Sequence, residues 1–373
     1  MAGHHQLRGG LRRRAACPAR VRRGRQVVRR RALALAGFAA AAAGGAAMGW
    51  AAERRLLRHE VPTTAPDWPE LRRPAPGEAH RVESYDGTHL HVDIVGPEGA
   101  PTVVMAHGYA LSHRAWHFQR RELSDEFRVV TYDQRGHGAS EEAVSGDYSI
   151  GAFGRDLSAV VESVTPTAQA VILVGHSMGG MTILSYVDQY PEWVGDRVAG
   201  AVFMSTSGSE VITGGIVSVG VAAFSGLGNR VGRRVFQALG RRSSAADLIY
   251  SSSNDLSYGL TKLIGLTADA SPAHVAFTEQ LLLECPNNVK AAIGPMFTSL
   301  DLREAAPLLK VPSLVIVGDK DRLTPPRQAH RLVELLPDAE LAVLEGIGHM
   351  APIEAHADVT AHIRAFARRV LPS

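Results

Sequence analysis

Three short stretches of this chain carry the residue types and spacing for nucleophilic chemistry. Gly175-His176-Ser177-Met178-Gly179 fits G-x-S-x-G, with a serine between close glycines. Gly318-Asp319-Lys320-Asp321 offers two carboxylates, and Gly348-His349 offers an imidazole. A serine hydroxyl is a poor nucleophile until a base takes its proton. The base in turn needs a third group to hold its tautomer and stabilise its cation. Ser177, an aspartate and His349 are the three types that such chemistry requires.

The surrounding elements decide whether these residues can meet. Ala170 to Val174 is an unbroken apolar run, the pattern of a fully buried parallel strand. It leads straight into Ser177, and Met181, Leu184 and Val187 then form an apolar stripe ahead of Pro191. The serine therefore sits where a strand must turn sharply into a helix. Thr102 to Ala106, Val129 to Tyr132, Val198 to Met204, Ser313 to Val317 and Glu340 to Leu344 read as further strands. Helical patterns lie over Trp116 to Leu123, Ile150 to Val164, Gln328 to Leu336 and His356 to Val370. Arg81 to Tyr85 and Thr88 to Val95 flank Asp86-Gly87, a hairpin signal. Strands alternating with helices predict an α/β fold, a mostly parallel sheet covered on both faces. Such sheets place ligands at the carboxyl ends of their strands. His107-Gly108-Tyr109-Ala110 follows one strand, and the backbone N–H of Tyr109 is a candidate donor to a ligand oxygen. Asp133, Arg135 and His137 in the loop Asp133 to Ser140 read as structural.

The alternation pauses over residues 209–298, a Gly- and Ser-rich span with helical pieces at Arg233 to Leu239, Ser244 to Tyr250 and Ala273 to Glu284. It reads as an inserted lid that divides the catalytic domain into residues 80–208 and 299–373. Within it, Ile212 to Leu227 is apolar and pliable, suited either to an acyl chain or to core packing.

The N-terminal part differs from the rest. Of 373 residues, the first 52 hold eleven Arg and no Lys, Asp or Glu; the remainder has 29 basic and 37 acidic residues and is net −8. The basic character belongs to the tail, so it is no argument for nucleic-acid binding by the fold. Residues 1–31 are a basic tail, 32–52 an uncharged Ala-rich run, and 53–79 a Pro-rich linker. Three readings of 32–52 stand: a signal anchor, a cleaved export signal, or an Ala-rich extension of a cytoplasmic enzyme. The first two put the catalytic domain on the extracytoplasmic side, at or beyond the membrane. Cys17 and Cys285 make neither a disulfide framework nor a metal site. There is no metal-ligand spacing and no phosphate-binding glycine loop, so neither a metal nor a cofactor is expected.

From about His80 onward the chain resembles the α/β-hydrolase superfamily. The motifs that carry this are His107-Gly108, the Asp133 to Ser140 loop, Gly175 to Gly180, Gly318 to Asp321 and Gly348-His349, in that family's order. The resemblance implies that Ser177 on its nucleophile elbow attacks, His349 is the general base and Asp321 the acid, with Asp319 the competitor. It implies an oxyanion hole from the backbone N–H groups of Tyr109 and Met178. The activity it implies is hydrolysis of a small-molecule carboxylic ester, lipid or monoacylglycerol-like, by a serine esterase or lipase. Two alternatives stand beside it: a cofactor-free haloperoxidase-like or carbon–carbon bond hydrolase, and a non-catalytic binding protein on the same fold. Epoxide and haloalkane hydrolysis need a carboxylate where Ser177 stands.

Overall fold

The computed structural model describes residues 68–71, 73, 77–165, 169–209 and 255–371. The N-terminal tail, the Ala-rich run 32–52 and most of the linker lie outside the described residues. So do Ile212 to Leu227, Arg233 to Leu239, Ser244 to Tyr250 and Cys17.

The described residues form a sheet of eight strands: β1 (Glu78–Glu83), β2 (His89–Val95), β3 (Thr102–Ala106), β4 (Arg128–Tyr132), β5 (Val171–His176), β6 (Val198–Met204), β7 (Ser313–Gly318) and β8 (Ala339–Leu344). Their spatial order is β1-β2-β4-β3-β5-β6-β7-β8. The hairpin β1–β2 and the β2–β4 pair are antiparallel; every pair from β4 to β8 is parallel. β5 is central, and all six of its residues are buried, as an apolar run flanked by helices on both faces requires.

Eight helices matter for the site: α1 (His117–Leu123), α2 (Ile150–Val164), α3 (Met178–Gln189), α4 (Asp255–Gly265), α5 (Pro272–Glu284), α6 (Asn287–Ile293), α7 (Pro326–Leu335) and α8 (His356–Val370). α2 begins at Ser149, whose hydroxyl accepts the Ala152 N–H, and its inner face buries Phe153, Leu157, Val160 and Val161. Together with α3 and β5 it builds one core; α1, α8 and the other sheet face build a second. Helices α4 to α6 lie in the connection between β6 and β7. A third apolar cluster joins Leu266, Ala273, Val275 and Phe277 of that connection to Leu111, Phe118, Met350 and Ile353.

Among the described residues most element boundaries expected from sequence hold within a residue or two; β1 starts three residues before the expected Arg81, and there is one difference of kind. The segment 53–79 does not remain a spacer throughout. Trp68–Leu71 is a helical turn, and Trp68 and Leu71, one turn apart, are both buried in the third cluster. Glu70 on the same turn pairs with Arg121. β1 likewise starts at Glu78, inside that segment.

Candidate functional site

Ser177 occupies the bend between β5 and α3 with φ 52° and ψ −115°. An L-residue pays about 1–3 kcal/mol for such a conformation, so the surroundings must enforce it. They do so by packing. From Val171 to Val187 every residue is buried except Ser177. The Ser177 N–H donates to Met204 O (2.9 Å), and its carbonyl accepts the Thr206 hydroxyl (2.6 Å). The glycines on either side permit the close approach: a Cβ on Gly175 would lie 2.5 Å from Gly179 C, and one on Gly179 would lie 2.0 Å from Ala106 O. Met178 is the first residue of α3, so its N–H has no carbonyl one turn earlier within the helix and forms part of the positive end of the dipole.

Asp321 and His349 meet across the loops that follow β7 and β8. His349 Nδ1–H donates to Asp321 Oδ2 at 2.9 Å, and both side chains are almost wholly buried. The remaining lone pairs of Asp321 are also used. Oδ1 accepts the Leu323 and Thr324 N–H groups, both at 2.9 Å, and Oδ2 accepts the Thr324 hydroxyl at 2.9 Å. Burial alone would raise this carboxyl. The neighbouring His349 and the bonds from His349 and Thr324 outweigh it and hold the group below the usual carboxylate range. Asp319 is placed differently: its side chain is 27 % exposed, pairs with Lys320 and accepts the Gly346 N–H. Of the two candidate acids, Asp321 is the one that faces His349.

His349 is also tied to the elbow. His176, the residue before Ser177, donates from Nε2 to His349 O at 3.0 Å, and the two rings lie 4.9 Å apart. With Nδ1 engaged by Asp321, Nε2 is the His349 nitrogen left to take a proton.

The Tyr109 segment is held beside the elbow by a chain of bonds that the sequence did not announce. Gly108 approaches the His176 ring so closely that a Cβ there would sit 2.9 Å from Nδ1. Gln134 donates from Nε2 to His107 O, while Thr182 of α3 donates to Gln134 Oε1. His107 Nε2 accepts the Gln134 N–H and Nδ1–H donates to Gly108 O. Burial pushes the His107 and His176 imidazoles down to about 3, so both are neutral supports. His137 accepts the Ala110 N–H, and Arg135 forms a bidentate pair with Asp156 in the interior. These residues brace loops, as expected. The Tyr109 hydroxyl donates to Lys290 O of α6, and its ring meets Phe297 edge-on.

Two further histidines find their partners only in the tertiary structure. His113 bonds to Asp133 through both its N–H and its Nδ1, and His356 stacks on Phe118 at 3.8 Å. Both contacts join residues far apart in the chain, where no local pattern exists. Among the described residues one group has metal-ligand types within reach: His91, His113 and Asp133, with donor atoms within 4.8 Å of one another. The Asp133 oxygens already accept bonds from His113 and Ala139, which makes the carboxylate an anchor for two loops. Cys285 is a buried free thiol pushed up to about 12 by burial, and so inert. Among the described residues no helix is long and apolar enough to cross a membrane.

A family model described as the alpha/beta hydrolase fold matches residues 101–356, which holds the elbow, Asp321 and His349. The chain belongs to the α/β-hydrolase family. A relative named bifunctional esterase/perhydrolase DCH, from Acinetobacter calcoaceticus, is 38% identical over 125 residues, 33% of this chain and 43% of that protein. Among solved structures, an esterase from Thermogutta terrifontis superposes with a TM-score of 0.63 at 24% identity, covering 79% of this chain and all of that one. An enol-lactonase from Burkholderia xenovorans superposes with a TM-score of 0.62 at 25% identity, covering 77% of this hydrolase and 99% of the lactonase.

Proposed function

We propose that this hydrolase cleaves carboxylic esters through an acyl-enzyme formed on Ser177. The observation that carries the reading is His349, held on one side by the Asp321 carboxylate and on the other by His176, next to Ser177 in the chain. His349 takes the Ser177 proton as the hydroxyl attacks the ester carbonyl. The oxyanion forms against the Tyr109 and Met178 N–H groups. His349 then protonates the leaving alcohol, and water, activated by the same nitrogen, releases the acid. Asp321 stays ionised, which stabilises the imidazolium between the two proton transfers. The chemistry needs no cofactor or metal. The esterase names of the relatives support the substrate class, and a lipid or monoacylglycerol-like ester is the proposed range. The test is hydrolysis of chromogenic esters from acetyl to palmitoyl, with Ser177→Ala beside the wild type. Turnover that survives in a folded Ser177→Ala protein sinks the reading.

A second reaction of the same acyl-enzyme is favoured by the esterase/perhydrolase name of the Acinetobacter relative. Hydrogen peroxide would replace water, leaving Ser177 free and the acyl group as a peracid. Peracid formation during ester turnover, measured against added peroxide, tests it. For the N-terminal part, the proposal is that residues 32–52, uncharged and preceded by an Arg-rich tail, take the enzyme to or across the membrane.

A further inference from the structure

The backbone around His349 is held at three successive residues; one of the three bonds runs directly to the connection between β6 and β7, and a second reaches it through Glu354. The His349 carbonyl accepts from His176. The Met350 N–H donates to Gly265 O, at the end of α4 (2.9 Å). The Gly348 N–H donates to Glu354 Oε2 (2.9 Å). The other oxygen of the same carboxylate, Oε1, accepts the Thr267 N–H (2.9 Å) and the Thr267 hydroxyl. Glu354 therefore grips the residue before His349 and the turn after α4 together. The two segments also touch directly: a Cβ on Gly348 would meet Leu266 Cα at 3.0 Å. On the far side of the Asp321–His349 pair, Arg322 donates to Leu263 O, again in α4. Loops on both sides of the pair are thus bonded to one short stretch, residues 263–267.

We propose that Glu354 is a positioning residue, a clamp that ties the register of the His349 loop to the seating of the α4 segment over it. A carboxylate suits this place because it offers only acceptors, and three donors converge on it. An amide there would turn one N–H against another. The inference rests on the reading of His349 as the general base. Its chemical consequence is that the imidazole holds its alignment with Ser177 through contacts supplied by the inserted segment. A displacement on the order of 1 Å at such a group costs about a hundredfold in rate.

The test uses the full chain as wild type, Glu354→Gln and Thr267→Val. Ester kcat and KM are measured, and the low-field proton signal of His349 Nδ1–H gives a readout that needs no substrate. For Glu354→Gln the expected result is a kcat lower by about 10- to 100-fold, with KM changed less than about threefold. The Nδ1–H signal should shift or broaden. Thr267→Val removes the hydroxyl donor, keeps the shape and the amide, and should act in the same direction more weakly; it carries the test if Glu354→Gln does not fold. A wild-type kcat with raised KM, or an unmoved Nδ1–H signal, overturns the clamp. A wild type that hydrolyses no ester, yet whose Nδ1–H signal moves in the Glu354 variant, removes the ester reading and keeps the clamp.

Discussion

Asp321 is ionised and buried, and what keeps it so is the set of four donors aimed at its two oxygens. Asp321→Asn retains the shape but offers an N–H where His349 needs an acceptor, so the imidazole is pushed toward the wrong tautomer. The expected loss in kcat is on the order of 10⁴, with folding intact. Steady-state kinetics beside a circular-dichroism spectrum checks this; a loss of tenfold or less would assign the acid to another residue. Asp319→Asn is the matched control. That side chain faces Lys320 and solvent, and its substitution should leave kcat within about twofold, since exposed pairs are worth about 0–1 kcal/mol.

At the scale of elements, the β5–α3 bend depends on the absence of side chains. Gly179 packs its Cα against the end of β3, and alanine there would thrust a methyl group into the Ala106 carbonyl. Either the helix must lift off the sheet or the bend must open. Gly179→Ala should cost roughly 3 kcal/mol or more in urea unfolding, and any folded fraction should lose ester turnover as Ser177 is displaced. A variant of wild-type stability would mean that the bend is more yielding than its contacts imply. The α4-to-α6 connection works by a different principle. Its stretch 263–267 contributes the Leu263 and Gly265 carbonyls and Thr267, so its hold on the loops around His349 comes largely from main-chain groups.

Across the whole molecule, the buried histidines set the response to acid. His107 and His176 are pushed down to about 3 and His117 to about 4, chiefly by burial. Below about pH 6.5 the unfolded chain takes up protons that the folded chain refuses. Stability therefore falls as pH drops from about 6.5 toward 4, by about 1.4 kcal/mol per pH unit for each such histidine. Asp321, with its folded pKa lowered, adds a further loss only under the usual carboxylate range. The melting temperature should be flat between about pH 7 and 8 and decline steadily below 6.5; a curve flat down to pH 5 would refute this. The proposed membrane role of residues 32–52 is checked at the same scale. Full-length protein should sediment with membranes or be recovered outside the cytoplasm, and recovery in the soluble cytoplasmic fraction would exclude both of its forms.

Much of this protein is legible without coordinates because its parallel strands are buried on both faces and read as short apolar runs. Ser177, His349 and the α/β order follow from those runs and from glycines where backbones must touch. The resemblance named Asp321 with Asp319 as competitor, and the tertiary structure supplies the physical reason: both follow β7, and the turn points Asp321 inward at His349 and Asp319 at Lys320. The supporting residues were hidden for a related reason. His176, Gln134 and Glu354 bond to backbone groups elsewhere in the chain, Thr182 bonds to the Gln134 side chain and Thr324 to the Asp321 carboxylate, and such bonds leave no periodic trace. Sequence by itself determined the order of the elements and the residue types at their ends. Which groups face one another across the loops was decided only by the packing that brings those ends to one edge of the sheet.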